Sequence, residues 1–115
     1  MKDYWQENQF WIEPVLDLIQ REVFVLDTPY RRLFARQFPR VTEAGVDYEC
    51  IRIWKLGRSI IENGYYEISP IMVEKHGDRI VIRAGWHRTR VLRALDLPVP
   101  VEIQAFNIKE EYQWL

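Results

Sequence analysis

The chain has 115 residues, 48% of them hydrophobic and 29% charged, with a formal net charge of −1, a balance that fits one domain with a real core. No apolar run approaches the ~18 residues of a membrane span, and the opening residues lack the apolar stretch of a secretion signal. Cys50 is single, so no intrachain disulfide is expected, which suits a cytoplasmic setting; one Cys and two separated His argue against a zinc site.

Residues 1–12, with Trp5, Phe10 and Trp11, are aromatic-rich and carry no clear element signal. Glu13-Pro14 opens a helix, proline being suited to the first turn, with Val15, Leu18 and Ile19 on one face. Val23-Phe24-Val25-Leu26 reads as a short buried strand. Asp27-Thr28-Pro29 is a helix start leading into Tyr30–Gln37, with Leu33 and Phe34 inward and Pro39 as the stop. Residues 40–46 read as a loop. Asp47 is placed to cap a helix running to Asn63, with Gly64 beyond its end and an apolar stripe of Ile53, Leu56, Ile60 and Ile61. Gly57 costs such a helix about 1 kcal/mol relative to alanine, so close packing is expected there. Ile71-Met72-Val73 and Arg79–Ala84 form a hairpin around His76-Gly77-Asp78. A cationic helix then runs to about Asp96-Leu97-Pro98, and Val99–Ala105 is a last strand, placed at an edge by Pro100. The order helix, hairpin, helix, strand predicts an α+β domain with a small mixed sheet and flanking helices.

Charge is segregated along this order. Residues 28–42 hold Arg31, Arg32, Arg36 and Arg40 with no acid, and residues 79–95 hold Arg79, Arg83, Arg88, Arg90 and Arg93 with none either. The second block bears on function. Gly85-Trp86-His87-Arg88-Thr89-Arg90 marks a strand-to-helix turn, where the first helical turn carries unpaired N–H groups and about half a positive charge. Cations there cost roughly 0.3–1 kcal/mol each in an exposed site. A bound anion would reverse that penalty, and phosphate is the usual one. Gly85, Trp86, His87, Arg88, Thr89 and Arg90 are therefore the candidate phosphate-binding residues. Arg83, Ser59, Arg31 and Arg32 are auxiliary candidates. The plain alternative is that these arginines pair with the chain's own carboxylates.

The second half resembles the N-terminal domain of the ParB family and, more distantly, sulfiredoxin. The resemblance rests on Leu56, Ser59, Ile60 and Gly64, then Pro70, Ile71 and Val73, then Gly85, Arg88 and Arg90, and last Val99-Pro100-Val101. It implies a ParB/sulfiredoxin-like fold that grips a nucleotide, CTP or ATP with magnesium, at the Gly85 turn, with nucleotide hydrolysis left open. On that pattern residues 47–105 are the ParB-like core of a single domain. Residues 1–46 match poorly and residues 106–115 are a tail.

Trp86 stands where sulfiredoxin carries its reactive cysteine, so sulfinic-acid reduction is not expected. It also replaces the glutamate of the ParB motif. Glu110-Glu111-Tyr112-Gln113 does not match the later ParB phosphate motif, so a complete ParB clamp is not expected. Glu62, Glu67, Asp78 and Asp96 are too scattered to assign a catalytic role or a protein metal site. Two other functions compete with nucleotide binding: a DNA-binding or DNA-cleaving module using both arginine blocks, and a protein-interaction domain using Trp5, Trp11 and Trp114.

Overall fold

A computed structural model describes residues 9–64, 71–76, 79–99 and 101–103. A 3₁₀ turn, Gln9–Trp11, leads directly into α1, Ile12–Ile19. The helix thus begins two residues before the expected Pro14, which sits within its first turn, where a missing N–H costs nothing. Val15, Leu18 and Ile19 are buried at the predicted i, i+3, i+4 spacing.

Residues 23–26 are not a strand. They run as bends, with Val23, Val25 and Leu26 exposed and only Phe24 half-buried, its ring edge-on to Trp54 at 5.6 Å. Long side chains from the later helix Glu43–Asn63 take backbone carbonyls at and just past the end of α1. The Trp54 indole N–H donates to Arg21 O at 2.8 Å, and Arg58 donates to Ile19 O at 3.1 Å. The Ile19 carbonyl is among the orphan acceptors that every helix end leaves, and Arg21 lies two residues past that end.

The second helix, α2, is Pro29–Gln37. Thr28 caps it as expected, its hydroxyl accepting from the Arg31 N–H, with Pro29 at the first helical position. Tyr30, Leu33 and Phe34 face the core. The third helix, α3, is Glu43–Asn63 and starts four residues before Asp47. Thr42 is its cap, accepting from the Gly45 N–H at 3.1 Å, and Asp47 instead receives Arg31 at 3.0 Å. Gly64 ends α3 with φ 79, a conformation glycine adopts without penalty. Val46, Glu49, Cys50, Ile53, Gly57 and Ile60 are buried along α3, whereas Ile61 is exposed. Burial pushes the Cys50 thiol up to about 11, so it is a core residue rather than an activated one.

The fourth helix, α4, is Trp86–Ala94, entered through Gly85 with φ 87. It closes on a Schellman turn, with Leu97 N–H donating to Leu92 O at 2.9 Å, Asp96 N–H to Arg93 O, and Asp96 at φ 55. The strands are β1, Ile71–His76, β2, Arg79–Ala84, and β3, Val101–Ile103, in the order β2-β1-β3. β1 pairs antiparallel with β2 and parallel with β3. Of the expected last strand Val99–Ala105, Val101–Ile103 is strand and Val99 is not, and the other positions lie outside the described residues.

The expected α+β class, a ParB/sulfiredoxin-like domain organised on a small mixed sheet, is corrected: the packed body is helical. For the strands only the backbone is described; every buried hydrophobic side chain among the remaining described residues lies on α1 to α4 or on the 3₁₀ turn, from Trp11 to Ala94. The reason lies in the first 46 residues. They supply two helices and the start of a third, and these fold onto α3 and α4 in place of the strand expected at Val23–Leu26.

Candidate functional site

The cationic turn can be followed residue by residue. Gly85, left-handed, precedes α4 with no side-chain cap and no acid in the first turn. Thr89 does not face outward: it is buried, and its hydroxyl donates back to Gly85 O at 3.1 Å. Arg90 is also buried, at 4% exposure. Its guanidinium lies 3.8 Å from the centroid of the Trp11 ring, donates to the Tyr30 hydroxyl at 3.1 Å, and sits 3.7 Å from Glu49 Oε2. A cation over an indole face is attracted by the ring quadrupole, more so when desolvated. His87 Nε2 meets Glu49 Oε1 at 2.8 Å, which makes that nitrogen the one carrying hydrogen. The Tyr30 hydroxyl donates to Glu49 Oε2 at 2.8 Å.

One buried carboxylate therefore gathers His87, Arg90 and Tyr30, joining α2, α3 and α4 over Trp11. Glu49 supplies from within the chain the negative charge that the sequence led one to seek in a ligand. Burial pushes the Glu49 carboxyl up, but the hydrogen bond and charge of His87, the Tyr30 hydroxyl and the charge of Arg90 outweigh it and hold the pKa below the ordinary value. Burial raises the Tyr30 hydroxyl well above its usual range, so it stays a neutral donor.

A depressed carboxylate fixes the sign of a pH effect. The stabilisation from Glu49 is complete above the ordinary glutamate value of 4.5 and is lost as pH falls through the lower folded value. Melting temperatures measured by circular dichroism from neutral pH to pH ~3 should fall more steeply for the parent than for Glu49→Gln. Parallel curves would show that Glu49 contributes nothing specific to acid unfolding.

The remaining candidates separate. Arg88 is half-buried and already has an interaction partner. Ser59 is exposed on α3. Arg31 pairs with Asp47 at 3.0 Å and Glu43 at 3.7 Å, and Arg32 pairs with Asp27 at 2.7 Å, so both auxiliary arginines meet the chain's own acids. Trp11 is buried at 4% exposure beneath Arg90, which removes it from the expected aromatic interface. For Arg83 and Trp86 only the backbone is described. The expectations for Trp5, Glu67, Pro70, Gly77, Asp78, Pro100, Trp114 and the tail lie outside the described residues. Of the scattered carboxylates, Glu62 pairs with Arg58 at 3.1 Å and Asp96 forms the turn after α4. Among the described residues no group of three or more His, Cys, Asp or Glu is placed to hold a metal. No described helix is long and apolar enough to cross a membrane.

Sequence reasoning missed one feature entirely, a cleft of 680 Å³ where the opening of α1 meets α2. Its apolar floor is Phe10, Pro14, Pro29, Leu33 and Ala35, and its rim is Arg31, Arg32 and Arg36. Arg36 is exposed and pairs with no carboxylate among the described residues. The all-arginine run of residues 28–42 was the signal for this rim, but the floor is assembled from two elements and has no linear pattern. Compared with family models, curated proteins and solved structures, the chain matches none.

Proposed function

We propose that this chain is a binding module for an anionic ligand with an apolar part, taken at the cleft between the opening of α1 and α2. The observation that carries this reading is the pairing of an apolar floor with the exposed Arg36 guanidinium, which meets no carboxylate among the described residues. Ligands of this kind include nucleotides with magnesium, other phosphate-bearing molecules, DNA and acidic protein segments. The magnesium would arrive with the phosphates.

A second reading keeps the phosphate site at the Gly85 turn. It is favoured by the uncapped start of α4 and by the ParB-like sequence pattern, and it loses His87 and Arg90 to Glu49. A melting-temperature screen separates the two, since a ligand that binds only the folded state must stabilise it. The ligands are inorganic phosphate, CTP and ATP with magnesium, duplex DNA at low salt, polyglutamate, and an acidic peptide in which glutamates are spaced among leucine and phenylalanine. A shift that disappears in Arg36→Glu and survives in Arg88→Ala is the expected result. The reverse pattern would move the site to the Gly85 turn, and no shift with any anion would remove both readings.

A further inference from the structure

The cleft does not treat all anions alike. Of its three arginines, Arg31 is held by Asp47 and Glu43 and Arg32 by Asp27, so two of the three rim charges are already balanced. One exposed guanidinium, Arg36, remains. At the start of α2 the backbone offers a phosphate few donors. Pro29, at the first position of α2, has no N–H, and the Arg31 N–H is taken by the Thr28 hydroxyl. A nucleotide's phosphates need several converging donors, which this rim does not provide. A single carboxylate needs one guanidinium.

The floor adds the second half of the recognition. Phe10 is 47% exposed and, with Leu33 and the two prolines, presents an apolar surface beside Arg36. The cleft is open to solvent rather than enclosed, which suits an extended surface ligand better than a small molecule that must be mostly buried. Resting on the proposed cleft, we infer that its occupant is a partner-protein segment in which apolar side chains stand next to a glutamate or aspartate. The apolar residues lie on Phe10, Pro14 and Leu33, and the carboxylate meets Arg36.

The test is fluorescence anisotropy with the full chain and a labelled peptide in which glutamates are spaced among leucine and phenylalanine. Binding should weaken about tenfold or more in Arg36→Glu. It should return when the peptide's glutamates are replaced by lysine. The Leu33→Ala variant leaves the charge in place and should weaken the same peptide, whereas pure polyglutamate should bind poorly. If polyglutamate, ATP or duplex DNA binds as well as the mixed peptide and Arg36→Glu abolishes it, the anionic cleft stands and the peptide assignment falls. A free fatty acid competing as well as the peptide also overturns the assignment. Self-association of the chain through this face, seen by sedimentation and lost in Arg36→Glu, would make a second copy the occupant and overturn it as well. If no anionic probe responds to Arg36→Glu, the cleft reading itself fails.

Discussion

Replacing Glu49 by leucine is expected to cost about 3–5 kcal/mol in urea unfolding, the range for removing one partner of a buried ion pair. The carboxylate is 8% exposed and serves Tyr30, His87 and Arg90 together. Removing it leaves the Arg90 guanidinium buried without the charge that Glu49 provided, and leaves the Tyr30 hydroxyl without its acceptor. A useful control is Asp27→Ala. The Arg32–Asp27 pair is shorter, at 2.7 Å, but its side chains are 58% and 88% exposed. Solvent screens that pair, so its loss should stay within about 1 kcal/mol. Burial rather than distance sets the ranking. The double variant Glu49→Leu/Arg90→Met should recover part of the loss, because it takes out the buried cation along with its anion. If Glu49→Leu costs no more than Asp27→Ala, the network is an incidental surface cluster.

The second large effect reverses a general rule. Glycine in a helix interior is ordinarily worth replacing, since alanine gains about 1 kcal/mol. Gly57→Ala should instead destabilise the protein by about 1–3 kcal/mol, as overpacking does. A β-carbon at Gly57 would lie 2.5 Å from Ile19 Cβ and closer still to Ile19 Cγ2. These atoms sit near the backbone of α1 and not at the end of a flexible side chain, so relief requires α1 to move away from α3. Ile19→Ala in the Gly57→Ala background should restore part of the loss, giving a clear coupling energy in a double-mutant cycle. A higher melting temperature for Gly57→Ala alone would show that the two helices are not in contact there.

These two residues show what the sequence discloses and where it stops. Gly57 was legible: a glycine in a strongly periodic helix carries a cost that predicts a close neighbour, and Ile19 is that neighbour. The Thr28-Pro29 start of α2, the Gly64 end of α3 and the Gly85 entry to α4 were legible for the same local reason, since caps and turns are written in adjacent residues.

Glu49 was not legible because the start of α3 was placed at Asp47. In a first turn, a glutamate is ordinary. With the helix starting at Glu43, Glu49 falls in line with Val46 and Ile53 on the buried face, where a charge needs an explanation. The Val23–Leu26 strand failed for a different reason. Its composition favours a strand, but Trp54 and Arg58 bind the adjoining backbone and fix it as a bend. A basic helix start calls for a negative charge. Local sequence does not distinguish a charge brought by a ligand from one lying 38 positions earlier in the chain, where Glu49 meets His87.

The carbonyls of Arg21 and Ile19, to which Trp54 and Arg58 donate, limit how the chain can be divided. Eight residues are too few for α1 to persist alone in water, so its last turn exists because α3 completes it. Conversely, an excised fragment starting at residue 47 would uncover Ile53 and Gly57 and deprive Glu49 and Arg90 of Tyr30 and Trp11. Neither piece is a self-sufficient unit, because the core draws on the Trp11 turn and on α1 through α4 together.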